Sequence, residues 1–246
     1  GYNYVLGNPL KYIDPDGMRV EDNFVFDENG DFVRIDKNND PDRLVIESSV
    51  NGQREEYEFA DPVNDPESIR KGEIDRVVFV QPDVIMEMVN DAGAMNEENR
   101  ASPISYIKKA GLGGQAFDFS YTAIPSVFKA DGASEDPLGN PSSLLFLVNY
   151  DGATHVHNHM NFGNFLYGAA GMALGISSDV LRLGAHANGL LNSDSNGYSP
   201  ELDSADDQLS IVKGIKFADR YGLDMMLEKN NNGEYFSGHT VTPKRK

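Results

Sequence analysis

Apolar and polar positions alternate along the first part of the chain and then change period. Phe24-Val-Phe26, Phe32-Val-Arg-Ile35, Leu44-Val-Ile46 and Tyr57-Glu-Phe59 are short runs with strand spacing. Asp27-Glu-Asn-Gly30 and Asn51-Gly52 separate them. An Asn-Gly pair suits a tight hairpin, because both central positions need positive φ. Residues 19–72 are therefore expected to form a strand-rich linker or subdomain that ends in the polar, proline-bearing connector 60–72. A helical period is expected after it. Pro82 opens a helix through Val84, Ile85, Met88 and Val89 that stops near Gly93, and Ser102-Pro103 caps another that stops at Gly111. Gly113 to Tyr121 reads as a turn leading to a strand, and 129–143 as a surface loop.

The sharpest local deduction concerns residues 144–160. Leu144 to Tyr150, Asp151-Gly152 and Ala153 to Met160 read as a hairpin on a two-residue type I′ turn. That register sets His155 opposite Val148, His157 opposite Phe146 and His159 opposite Leu144, so the three imidazoles share one partly apolar face. Gly168, Gly171 and Gly175 then punctuate a helix that also carries Phe165, Met172 and Leu174, and small residues there permit close helix approach. Ser177 or Ser178 caps a second helix through Val180, Leu181, Leu183 and Gly184. After the polar loop 192–200, Asp203 caps a third, with Ile211, Ile215 and Ala218 in register and Gly222 as its stop. The tail from Asn230 ends in Lys-Arg-Lys.

Composition narrows the chemistry. The chain has 246 residues, no cysteine and a formal charge of -18. Thiolate ligands, thiol nucleophiles and disulfides are thereby excluded, and an extended phosphate-tracking groove is disfavoured. Lys108, Lys109 and Arg182 are the cations that could build a local basic pocket. No window approaches the roughly 18 apolar residues of a membrane span, and Gly1 opens the chain without a signal-peptide pattern. Any export signal is therefore expected outside this stretch. The acidic runs 27–31 and 36–42 lack the spacing and terminal glutamate of an EF-hand and read as solvated turns.

Alternate histidines on a strand could hold zinc together with a carboxylate or His186. The reading adopted is metal-free and cofactor-free: on an apolar face desolvation lowers the imidazole pKa and leaves a neutral base. His159, Asn164, Tyr167 and His186 converge if the glycine-rich helices pack back on the hairpin. Asp206 and Asp207, in the first turn of the last helix, read first as residues that suit its dipole.

Two resemblances add to this reading. Tyr2-Asn-Tyr-Val-Leu-Gly-Asn-Pro-Leu-Lys-Tyr-Ile-Asp-Pro-Asp-Gly-Met18 resembles the end of an RHS-repeat (YD-repeat) core, departing only at Met18, with Asp14 and Asp16 on its acidic positions. RHS proteins are large exported shells with a variable C-terminal toxin, so the likeness implies such a shell as carrier and marks 1–18 as a boundary. Gly113 to Phe119, Phe162-Gly-Asn-Phe-Leu-Tyr-Gly168, Gly184-Ala185 and Asp203-Ser-Ala-Asp206 are similar to the polymorphic toxin type 44 domain. The chain departs from it at Leu166, where that family has a histidine, at His186 and at Ser204-Ala205.

That second likeness implies a metal-independent ribonuclease with a cognate immunity protein. His157 or His159 would be the base, His186 or Tyr167 the acid, and Asn164 the group that positions the phosphate. The other readings are a peptidoglycan glycan hydrolase using a carboxyl pair such as Asp203 and Asp206, and a non-enzymatic binding or shell-plug module. The expected fold is α+β: an RHS remnant (1–18), a strand-rich part (19–72), a toxin-like domain in which a hairpin packs on three to five helices (73–229), and a tail (230–246). The expected setting is export within a larger bacterial protein and action in a target cell, on RNA or peptidoglycan.

Overall fold

The computed structural model describes residues 22–38, 40–128, 141–148, 155–191 and 203–223. The RHS-like motif, the Asp151-Gly152 turn, the loop 192–200 and the tail from Asn230 lie outside these residues. Within them the chain is an α+β fold whose strand-rich part comes first.

Seven strands form one mixed sheet: β1 (Asp22–Asp27), β2 (Phe32–Lys37), β3 (Arg43–Glu47), β4 (Arg54–Phe59), β5 (Arg76–Val80), β6 (Leu144–Val148) and β7 (His155–Asn158), in the order β2-β1-β3-β4-β7-β6-β5. The expected N-terminal hairpins are present, β1 against β2 and β3 against β4, both antiparallel. β4 then pairs in parallel with β7, so hydrogen bonding continues from the strand-rich part into the histidine hairpin. The sheet curls until its two ends meet. Asp31 bridges to Arg76, Phe32 N donates to Asp75 O at 3.0 Å, and Val77 N donates to Gly30 O at 2.7 Å. Gly30 has a φ of 86°, and a Cβ there would lie 1.9 Å from Val77 O, so the closure requires glycine.

Side chains alternate across this sheet and divide the core in two. Leu145, Leu147 and Val156 point into the curl with Phe24, Phe26, Leu44 and Phe59. Leu144, Phe146 and Val148 point outward, beneath the helices. The helices are α1 (Asn64–Arg70), α2 (Pro82–Asp91), α3 (Glu97–Ala101), α4 (Pro103–Ala110), α5 (Ala123–Phe128), α6 (His159–Ala173), α7 (Ser178–Leu191) and α8 (Ala205–Tyr221), with a 3₁₀ turn at Pro141–Ser143. α6 lies on the outer face, where the Phe146 and Phe162 rings stack at 4.6 Å and 11°. Its glycines admit two neighbours. A Cβ on Gly168 would be 2.3 Å from Ile211 O of α8, and one on Gly171 would be 2.2 Å from Leu181 Cδ2 of α7.

Several expectations are corrected. The connector 60–72 contains α1, because Asp61 Oδ1 accepts the N–H groups of Val63 and Asn64 at 3.0 and 2.9 Å and starts a helix. Helical structure does not follow directly, since Arg76-Val-Val-Phe-Val80 adds the edge strand β5. The turn after Gly113 leads to helix α5, not to a strand. α7 runs past Gly184. Ser204, not Asp203, caps α8, its Oγ accepting from Asp207 N at 3.3 Å. Gly222 ends that helix at φ 64°, as its place in the sequence predicts.

Candidate functional site

The β6–β7 register is the expected one: Phe146 faces His157. The three histidines nevertheless have different surroundings. His157 is 1% exposed, lies 5.5 Å from the Phe165 ring, and its Nδ1 meets Ser210 Oγ at 3.0 Å. Burial, with smaller contributions from His155 and Lys213, pulls its pKa down to about 3. His155 Nε2 lies 3.1 Å from Glu58 Oε2, a carboxylate that Arg43 also engages. His159 has already left the strand as the first residue of α6. Its Nε2 meets Ser120 O and its Nδ1 lies 3.4 Å from Ser142 Oγ, while burial lowers its pKa.

Chemistry gathers instead where the N-termini of α6 and α8 approach α1. Asn158, Asn161 and Asn164 recur every third residue, and each donates its amide to a different carboxylate. Asn158 Nδ2 reaches Asp65 Oδ1 at 2.8 Å, Asn161 Nδ2 reaches Asp206 Oδ2 at 3.1 Å, and Asn164 Nδ2 reaches Asp207 Oδ1 at 2.7 Å. Ser204 Oγ donates to the other Asp207 oxygen at 2.7 Å, and Gln208 Nε2 donates to Asp203 Oδ2 at 2.9 Å. Four carboxyls thus share one region, with side-chain amides and a hydroxyl as donors to them.

The electrostatics follow from this packing. Burial is the leading cause in each case and pushes three of the carboxyls upward. For Asp203 the Asp206 charge adds to burial while Gln208 and His186 oppose it. For Asp207 the charges of Asp206 and Asp203 add and the Ser204 hydroxyl opposes. Asp65 is only 2% exposed and rises to about 8, aided by Asp61 and Asp206. Its second oxygen, Oδ2, is buried without a hydrogen-bond partner. Tyr167 faces the same group: burial and Asp203 push its hydroxyl up to about 12, and a Cβ on Gly184 would sit 3.2 Å from its oxygen.

Of the residues singled out in the sequence, the structure brings Asn164, Tyr167, His186, Asp203 and Asp206 into one neighbourhood. His157 and His159 are placed elsewhere, in the core and against Ser120. Of the candidate cations only Arg182 borders it, through Gln208, which also holds Asp203. Lys108 and Lys109 end α4 as exposed side chains, and Arg182 contacts Gln208 at 3.4 Å. Sequence reasoning missed Asp65, Asn158 and Asn161; the Asn-x-x-Asn-x-x-Asn spacing was the available signal for the amides. Among the described residues no three His, Asp or Glu side chains gather closely enough to hold a metal ion.

No helix among the described residues is long and apolar enough to cross a membrane. A cavity of about 310 Å³ lined by Glu55, Tyr57, Phe79 and Leu147 lies at the opposite end of β6 and β7 from Asn158, away from the carboxyls.

Comparison with curated proteins and with solved structures gave no match. Residues 130–220, which supply Asn158, Asn161, Asn164, Tyr167, His186, Asp203, Asp206 and Asp207, match the family model described as bacterial toxin 44, and the chain carries a bacterial toxin domain there.

Proposed function

We propose that the toxin domain hydrolyses a glycan, with peptidoglycan as the polymer its setting suggests, and that Asp203 and Asp206 form the acid–base pair. The supporting observation is the raised Asp203 carboxyl, beside Asp206 and hydrogen-bonded by the Gln208 amide. A glycosidic bond needs one carboxyl that holds a proton to give to the leaving oxygen and a second that acts as base or nucleophile. Asp203, partly buried and raised, suits the donor, and Asp206, oriented by Asn161, suits the carboxylate. Asp207 has both oxygens occupied, by Asn164 and Ser204, and acts as a positioning group.

The ribonuclease reading is less well supported by this arrangement. A phosphodiester entering this cluster meets acidic side chains, with a charge of its own sign on the Asp206 carboxylate. His157, one of its candidate bases, is 1% exposed, with its Nδ1 on Ser210 Oγ of α8, out of reach of a substrate.

The RHS-like motif at 2–18 supports delivery as the C-terminal part of a larger exported shell, with a cognate immunity protein as partner and a target cell as the place of action. The test is release of reducing ends from purified sacculi, run beside degradation of total RNA. Asp203→Asn and Asp206→Asn are expected to reduce glycan cleavage at least about 100-fold, and His159→Ala to leave it within about threefold. RNA degradation with intact sacculi would overturn the proposal.

A further inference from the structure

We infer that Asp65, on α1 and outside the toxin-matched segment, is the positioning residue for Asp206, anchoring it through the chain Asp65–Asn158–Asn161–Asp206. The inference rests on reading Asp206 as a catalytic carboxylate.

Three hydrogen bonds make the chain. Asn158 Nδ2 donates to Asp65 Oδ1 at 2.8 Å, Asn158 Oδ1 accepts from Asn161 N at 2.9 Å, and Asn161 Nδ2 donates to Asp206 Oδ2 at 3.1 Å. Asn158 is the N-cap of α6, so its side chain is fixed at both ends: the helix takes the oxygen and Asp65 takes the amide. Without an acceptor at 65, that half-buried amide would lose its protein partner, and the cap would lose its orientation. Asn161, 1% exposed, then transmits the placement of the first helical turn to Asp206.

The chemical state of Asp65 matters as much as its place. The groups facing it are Asp61 from the turn before α1, Asp206 from α8, and the Asn158 amide. Two of the three are acidic, and the site is buried, so the carboxyl is held up to about 8 and is neutral at pH 7. In that state it accepts the Asn158 hydrogen bond without setting a second negative charge beside Asp206. Ionisation above pH 8 would add that charge inside a buried site, displacing both carboxyls. Asparagine offers the same neutral acceptor at any pH; alanine offers none.

The test measures glycan cleavage from pH 5 to 10 for the whole protein, Asp65→Asn and Asp65→Ala, with circular dichroism to confirm folding. The wild type is expected to lose activity about tenfold per pH unit above pH 8. Asp65→Asn is expected to keep kcat within about threefold at pH 6.5 and to lose that alkaline fall, whereas Asp65→Ala lowers kcat at least about tenfold with KM unchanged. Inactivity of folded Asp65→Asn at every pH, or an unaltered alkaline fall in it, would overturn the inference.

A second measurement is independent of turnover. The Asp206 carboxyl carbon, followed by NMR, is expected to show an inflection near pH 8 in the wild type that disappears in Asp65→Asn. If sacculi are not cleaved, the glycan reading fails and this titration still decides the coupling: no inflection means that Asp65 does not govern Asp206.

Discussion

Gly214→Ala separates helix propensity from helix packing. Gly214 lies within α8 where that helix crosses α6, and a Cβ there would fall 1.9 Å from Phe165 O and 2.9 Å from Ala169 N. Both neighbours are backbone atoms and cannot rotate aside. Reaching ordinary contact at 3.4 Å requires the helices to separate locally by about 1.5 Å. Propensity alone favours alanine by about 1 kcal/mol. Overpacking against a rigid neighbour costs about 1–3 kcal/mol, and the separation also loosens the Phe165–Phe217 ring contact at 5.6 Å and the Asn161–Asp206 hydrogen bond.

The net expectation is a loss of about 2 kcal/mol, or a melting temperature lower by about 4–8 °C for a chain of this size. Gly171→Ala is the control. Its Cβ would meet Leu181 Cδ2, Cδ1 and Cγ at 2.2, 2.8 and 3.1 Å, atoms of a side chain rather than of the backbone, so that variant should lose less stability than Gly214→Ala. Thermal and urea unfolding by circular dichroism measure both. A Gly214→Ala protein as stable as the wild type would refute the close α6–α8 approach.

Two further outcomes are expected. Unfolded His157 binds a proton near pH 6.5, while the folded residue refuses it until about pH 3. Between those values the unfolded state holds the extra proton, so His157 lowers stability as pH falls, by up to about 1.4 kcal/mol per unit; urea titrations of the wild type and His157→Gln at pH 4, 5 and 6 should show that slope flattened in the variant. Gly30→Ala combines a positive φ with a clash against Val77 O and should cost about 3 kcal/mol, whereas Gly52→Ala, with φ of 67° and open space, should cost about 1 kcal/mol; equal melting temperatures for the two would contradict the closure of the sheet at Gly30.

The elements that sequence announced correctly are those with chemical punctuation. Gly30 and Gly52 mark the hairpins, Pro82 and Pro103 open helices, and Gly222 closes α8. β5 carried a β-branched run but followed a polar connector, which hid it, and α1 was hidden because Asp61 and Pro66 read equally well as a turn. The histidine register was legible at Phe146 and His157, since period two fixes which residues share a face. Depth was not legible: α8 is needed to seal His157, and it begins almost fifty residues later. Asp65 was out of reach for the same reason, being 93 residues from the asparagine that holds it.

The same chain uses carboxylates in two opposite ways, and the contrast gives the candidate site its meaning. On the sheet's outer surface, Arg34 engages Asp36 at 2.8 Å and Glu47 at 2.9 Å, and those carboxyls are held below their usual range. Such groups stay ionised and cannot deliver a proton near neutrality. At the helix N-termini the partners of Asp65, Asp203 and Asp207 are amides and a hydroxyl, which fix orientation without adding positive charge. Burial then raises these three carboxyls. An arginine in place of Asn161 or Asn164 would bind more tightly and leave Asp206 and Asp207 fixed as anions. Asparagine is the residue that aims a carboxyl without adding positive charge, and the three-residue repeat from Asn158 to Asn164 does this for Asp65 and Asp207, both of which burial raises.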